Sequence, residues 1–232
     1  MDVLALEHVT STQGDFALAA HWAIPEGALV AVVGPSGAGK STLLGAVAGF
    51  VAINAGRVLW QGRDISRTSP SLRPVSILFQ DNNLFPHLTV FENVALGLRP
   101  SLRLTVAERQ RVEGALARVG LVGLGPRKPA QLSGGQQSRV ALARVLLQRK
   151  PVMLLDEPFA ALGPALRKEM LALVAEICRE TRATLLMVSH ELRDAETIAD
   201  QLVLVSDGVA HAPAPTQQVL ADPSAALRNY LG

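Results

Sequence analysis

The stretch LVAVVGPSGAGKSTLL, residues 29–44, runs from five apolar residues, three of them valine, through a glycine-rich turn into an apolar helix. Its centre, Gly34, Pro35, Ser36, Gly37, Ala38, Gly39, Lys40 and Ser41, fits the pattern G-x-x-x-x-G-K-[ST]. The physical reason for that pattern is anion binding. Glycines let successive backbone N–H groups turn inward as a nest, and a helix starting near Lys40 adds the positive end of its dipole. The expected ligand is a nucleoside triphosphate held along residues 34–42, the last being Thr42. Lys40 reaches the β- and γ-phosphates, and the Ser41 hydroxyl ligates Mg2+. A bare strand–helix turn is the alternative, but the strand before and the helix after are the context that phosphate binding needs.

Further apolar runs extend the pattern outward: VSILF (75–79), VMLLD (152–156), TLLMVSH (184–190) and QLVLVS (201–206). Helical periodicity separates them, after Gly39, over about 164–181 and over about 191–199. Strands alternating with helices predict a mostly parallel sheet covered by helices, with ligands at the strands' carboxyl ends. Phe16, Leu18, Ala20, Trp22 and Ile24 instead alternate with polar or small residues, as in a half-buried antiparallel strand. Ser206-Asp207-Gly208 reads as a tight hairpin. Residues 89–149 are mainly helical, and Thr89-Val-Phe-Glu92 is a capping box at a helix start. The expected fold is therefore α/β: a P-loop NTPase core with an N-terminal antiparallel β subdomain and an inserted α-helical lobe. It reads as a single domain, with 1–88 and 150–232 as the core and 89–149 as the lobe.

The 232 residues are 49% hydrophobic and 18% charged, enough apolar content for a sizeable core. A net charge of +2 gives no ground for nucleic-acid binding. Basic residues do gather between 99 and 128, where Arg99, Arg103, Arg109, Arg111, Arg118, Arg127 and Lys128 face only Glu108 and Glu113. That run is either a solvated helical face or a surface for a membrane or partner. Cys178 is the only cysteine, which fits a reducing compartment. The N-terminus does not read as a signal peptide, and no apolar stretch approaches the ~20 residues of a membrane span. Any membrane role is expected to come through a partner.

Two more elements bear on chemistry. Asp156 and Glu157 end the apolar run VMLLD. At the carboxyl end of a parallel strand they can lie beside the phosphate loop, Asp156 on Mg2+ and Glu157 polarising an attacking water. The alternative is that Asp156 caps a helix beginning at Pro158. LSGGQ (132–136) starts the apolar helix QSRVALARVLLQ, with Ser133 as N-cap and Gly134 and Gly135 leaving N–H groups bare. Alone it is an ordinary cap.

Taken in order, GPSGAGKS (34–41), Gln80 after SILF, LSGGQ (132–136), VMLLDE (152–157) and His190 in MVSH resemble the nucleotide-binding subunits of ABC transporters over nearly the whole chain. The resemblance implies ATP and Mg2+ as cofactors. It implies that Gln80 senses the metal and the attacking water, and that His190 contacts the γ-phosphate. It also implies a homodimer in which Ser133, Gly134, Gly135 and Gln136 of a second copy complete each ATP site. RPVSILFQDNNLFPHLTVFENVALGL (73–98) and ALRKEMLALV (165–174) look like the ATPase subunits of bacterial thiamine importers. That implies work at the cytoplasmic face of the inner membrane with transmembrane permease subunits, docked near Gln80, Leu84 and Phe85. A periplasmic binding protein would act indirectly. Other cargoes, such as ferric iron, phosphate or an amino acid, are the nearest alternatives. Soluble ABC-type ATPases of DNA repair or translation carry a coiled-coil insertion or two cassettes, and neither is visible. The absence of a long regulatory segment after residue 232 is read as arguing against sugar, sulfate and polyamine importer subunits.

The chain departs from the family pattern at three positions. Gln13 stands where an adenine-stacking aromatic is common, with Phe16 as a substitute or as core. Gln137 follows LSGGQ in place of Arg. Gly163 replaces the Asp of Ala-Leu-Asp, a side chain that reaches the other subunit's site, and is expected to loosen the backbone before Pro164.

Overall fold

The computed structural model describes residues 2–231. The outer limits expected for the domain, Met1 and Gly232, lie outside the described residues. The chain opens with two antiparallel strands, β1 (Asp2–Gln13) and β2 (Phe16–Pro25). In β2 the expected alternation holds: Leu18, Ala20, Trp22 and Ile24 are buried, and Phe16 is half-buried. β3 (Leu29–Val33) then feeds the glycine loop and α1 (Lys40–Ala48).

β4 (Ala55–Trp60) and β5 (Arg63–Asp64) follow, with β4 antiparallel to β1. Neither was expected from the sequence. In β4 only Val58 is fully buried, so the apolar alternation that marks a strand is missing.

After β6 (Val75–Leu78) come three helices, α2 (Val90–Ala95), α3 (Val106–Arg118) and α4 (Gly134–Gln148). Each begins with a capping box, Thr89 with Glu92, Thr105 with Glu108, and Ser133 with Gln136. The α3 box repeats the Thr-x-x-Glu spacing read at Thr89. The rest of the chain is β7 (Val152–Asp156), α5 (Pro164–Thr181), β8 (Thr184–Val188), α6 (Leu192–Ile198), β9 (Gln201–Ser206), β10 (Val209–Ala210), β11 (Ala214–Pro215), α7 (Thr216–Ala221) and α8 (Ala225–Leu231). Asp207 and Gly208, at φ 49° and 73°, make the two-residue turn joining β9 to β10.

Among the described residues one sheet runs β5-β4-β1-β2-β10-β9-β3-β8-β7-β6, with β11 on β9. The half from β9 to β6 is parallel at every step, and β5, β4, β1 and β2 are antiparallel. The parallel strands are buried along both faces, which is why they read as unbroken apolar runs. Val30, Val32, Leu154 and Val188 face α1 and the β1–β2 layer, so α1 lies in a core of its own between the two layers. Leu29, Met153, Leu155 and Met187 face α4, α5 and the rest of the helical segment.

Candidate active site

Asp156, Val188 and Val32 stand opposite one another across β7, β8 and β3. The residues that leave these strands therefore meet at one edge of the sheet: Glu157 after β7, Ser189 and His190 after β8, and the loop from Gly34 after β3. Gln80 arrives beside them, two residues beyond Leu78, which is paired with Leu155. This is the carboxyl edge where parallel sheets bind ligands. A cleft of about 370 Å³ lies there, lined by Ser36, Gly37, Gly39, Lys40, Ser41 and Thr42. Gln80, Glu157 and His190 close it from the other strands, and Gln13 and Phe16 from the β1–β2 turn. The expected phosphate loop and the residues expected around it are thus one cavity.

Two glycines in the loop are required by geometry. Gly34 has φ 148°, and a Cβ there would run into the Val205 carbonyl on β9. Gly39, the N-cap of α1, has φ 103°, and a Cβ there would strike the Phe16 ring. Phe16 therefore packs on the loop while its half-buried ring also rests against the core of the β1–β2 layer.

The charges in the cleft are poised by burial. Lys40 is buried, and its Nζ donates to the Gly34 and Pro35 carbonyls at 2.7 and 2.8 Å, curling the loop around the ammonium. Burial lowers its pKa, against the pull of Glu157 and Asp156. Burial raises the pKa of Asp156, although a hydrogen bond from Ser41 and the charge of Lys40 oppose that shift. Asp156 Oδ1 is buried with no hydrogen-bond partner. A carboxylate oxygen orphaned beside the Ser41 hydroxyl is the donor set that suits a hard divalent cation.

The alternative role for Asp156 fails on structure. It ends β7, and the next helix starts only at Pro164, so it caps nothing. Glu157 takes a left-handed backbone, φ 48°, which costs of order 1–3 kcal/mol and collects at functional sites. Its Oε1 lies 2.5 Å from His190 Nε2.

The LSGGQ segment forms a capped helix start as expected. The Ser133 N–H donates to Gln136 Oε1 at 3.0 Å, and the Gln136 N–H to Ser133 Oγ at 3.3 Å. Residues 133–136 do not line the Lys40 cleft. They pack instead on the turn before α5, where a Cβ on Gly135 would meet Leu162. Gln137 ties this start down by donating to the Pro129 and Leu132 carbonyls.

The loop after Gln80 is gripped from two helices. Arg144 on α4 donates to the Asn82 and Asn83 carbonyls, and the buried Asn93 on α2 holds both the N–H and the carbonyl of Phe85. This turns Leu84 in against the core and leaves Phe85 exposed, so the two adjacent apolar residues do different jobs. In the basic run, Arg99 pairs with Glu108, and Arg118 with Glu176 and Glu180.

One cluster was not legible in the sequence. A cavity of about 140 Å³ beside Glu157 and His190 is lined by Arg167, Ser189, Glu191 and Asp194. The only trace is spacing: Arg167 lies one helical turn after Gly163, and Asp194 four residues after His190.

Comparison with known proteins gives the family of the chain. Residues 19–160 match the family model described as ABC transporter. The chain is 58% identical to the thiamine import ATP-binding protein ThiQ of Cereibacter sphaeroides, over 99% of this chain and 100% of that one. It is 48% identical to the protein of the same name from Photorhabdus laumondii, over 97% of each. Among solved structures, the ATP-binding cassette MJ0796, dimeric and bound to ADP and Pi in a post-hydrolysis state, superposes with TM-score 0.81 at 29% identity, covering 92% of this chain and 98% of that one. A nucleotide-free ATP-binding cassette from an ABC transporter shares the fold at TM-score 0.88 and 24% identity, covering 100% and 99%. The chain belongs to the ABC transporter family, as one of its ATP-binding proteins.

Proposed function

We propose that this chain is the ATP-hydrolysing subunit of an ABC importer for thiamine and its phosphates, and that Glu157, His190 and Gln80 carry out the hydrolysis. The meeting of Lys40, Ser41, Glu157 and His190 in one cleft supports the chemistry. Near-full-length identity of 58% to a thiamine import protein supports the cargo.

ATP binds with its phosphates along Gly34–Thr42, where the loop amides, the α1 N-terminus and Lys40 all present positive charge. Phe16, over Gly39, is the aromatic surface nearest the loop and takes the adenine-side role that Gln13 cannot. Ser41, Gln80 and Asp156 would hold Mg2+, which neutralises phosphate charge when bound. The Asp156 oxygen without a partner supports this assignment. Glu157 orients and polarises the attacking water. His190 fixes the direction of the Glu157 carboxylate and contacts the γ-phosphate, so positioning supplies most of the rate.

The subunit works as a homodimer. Ser133, Gly134, Gly135 and Gln136 of one copy close the ATP site of the other, in keeping with their absence from the lining of the Lys40 cleft in their own chain. The 89–149 lobe and the core formed by 1–88 and 150–232 make one domain. No helix among the described residues is long and apolar enough to cross a membrane. The site of action is the cytoplasmic face of the inner membrane, against the permease subunits, with a periplasmic binding protein delivering cargo to them. The docking surface lies past Gln80. Exposed Phe85 and Phe50 present apolar contacts there, and Leu84, next to Phe85, packs against the core. Phe50 stacks edge-on against Phe79, which precedes Gln80.

The test is uptake of labelled thiamine by a strain lacking this chain. Restoration by the wild type with its permease, and not by Glu157→Gln, is expected. Restored uptake of a different cargo, with thiamine uptake unchanged, would overturn the assignment.

A further inference from the structure

We propose that Arg167 is a positioning residue for His190. It clamps both chain neighbours of that histidine to the first turn of α5, through Asp194 and Ser189. The proposal rests on the reading of His190 given above.

The Arg167 guanidinium forks onto Asp194, with Nε 2.9 Å from Oδ1 and Nη2 2.6 Å from Oδ2. Nη1 donates to Glu191 Oε1 at 2.6 Å, and Nη2 reaches Ser189 Oγ at 3.4 Å. The Ser189 hydroxyl donates to Asp194 Oδ2 at 2.6 Å and accepts from the Glu191 N–H at 3.0 Å. Ser189 and Glu191, on either side of His190, are therefore held by one planar cation. Asp194 and Ser189 are buried, so the fork onto Asp194 is shielded from water, whereas the bond to Glu191 lies at the surface.

The other end of the clamp is the Ala161-Leu162-Gly163 turn. The Arg167 N–H donates to the Gly163 carbonyl at 2.9 Å, closing the first turn of α5. The same turn packs on the start of α4, with Ala161 beside Gly134 and Leu162 under Gly135. Displacement of the 161–163 turn is thus transmitted through the first turn of α5 to residues 189–191.

A staple that only stabilised the fold would lower melting temperature and leave turnover per folded molecule intact. A positioning role makes a different set of predictions. Arg167→Met should lower kcat about 10- to 100-fold, with KM for ATP within about two-fold, as expected when a reacting group is misplaced. Arg167→Lys, which keeps the charge but not the fork, should recover part of that loss. In a His190→Ala background, adding Arg167→Met should change the single-turnover rate by less than about two-fold, because the two residues act as one unit.

Arg167→Met leaves Asp194 as a buried unpaired carboxylate, so Arg167→Met/Asp194→Asn is measured in parallel and should show the same kcat loss in a folded protein. Equal fractional losses from Arg167→Met in the wild-type and His190→Ala backgrounds would overturn the proposal, as would an unchanged kcat. If His190→Ala alone turns over normally, the reading of His190 fails, and that result is separate from any effect of Arg167.

Discussion

Nε2 of His190 lies 2.5 Å from Oε1 of Glu157, although 33 positions separate them in the chain. The contact is built by two neighbouring strands ending in register, Asp156 opposite Val188, with the Glu157 N–H donating to the Val188 carbonyl at 3.2 Å. The left-handed turn at Glu157 then swings its carboxylate off the strand direction and toward the imidazole. A strained residue pinned by two strands is pre-organised, which suits the water-orienting role proposed for Glu157.

Asp156→Asn should stabilise the nucleotide-free protein while abolishing turnover. The wild-type carboxylate is buried and keeps Oδ1 without a partner, an arrangement that costs folding free energy in the absence of a cation. Removing the charge should raise Tm by roughly 2–4 °C, corresponding to ~1 kcal/mol in a domain of this size. Scanning calorimetry in EDTA checks it. A lower Tm for the variant would mean that Asp156 is fully satisfied within the chain.

Gly163→Asp should be tolerated and mildly stabilising. The structure asks for no glycine at this residue. Gly163 has φ −66° and ψ 157°, an ordinary N-cap conformation, and a Cβ there would meet nothing within 4 Å. An Asp side chain could accept from the free N–H groups of α5 and favour its dipole, gaining a few tenths of a kcal/mol. Thermal melts should show a small rise. Permease-coupled ATPase assays should show greater cooperativity between the two sites if the side chain also reaches the second subunit.

Arg73→Met should be among the most damaging changes outside the cleft. The Arg73 side chain is buried and donates to four carbonyls: Ala46 and Val47 at the end of α1, and Ser66 and Thr68 in the loop after β5. A Cβ on Gly49 would collide with its guanidinium. Stranding those acceptors should cost about 3–5 kcal/mol. A urea melt with an unchanged midpoint would refute this.

Acid should weaken the start of α3 through Glu108. Hydrogen bonds from Arg99 and from the Thr105 N–H hold its pKa near 2, below its ordinary 4.5. A carboxyl depressed in the folded state contributes stability that is present above the unfolded value and is lost as pH falls through the folded one. The Tm advantage of wild type over Glu108→Gln should therefore be constant near neutrality and shrink as pH drops below 4.5. A difference independent of pH would place the effect in packing.

Much of the fold was legible because its central strands are buried on both faces. LVAVV, VMLLD and QLVLVS match β3, β7 and β9 residue for residue. TLLMVSH overran, since Ser189 and His190 belong to the edge where the chain leaves the sheet. β4 and β5 leave no clear sequence signal because they lie at an exposed margin with little apolar alternation. The glycine-rich loop was readable because the residues of its pattern are contiguous. What remained hidden depends on distant parts of the chain: the left-handed Glu157, the grip of Arg144 and Asn93 that separates Leu84 from Phe85, and the Arg167–Asp194 clamp across 27 positions.

The most direct test of the central claim is ATP turnover by purified Glu157→Gln. It should bind Mg-ATP, associate into a stable dimer on a sizing column, and hydrolyse at least about a hundred-fold more slowly than wild type. Hydrolysis at the wild-type rate would contradict the account and remove Glu157 from its role.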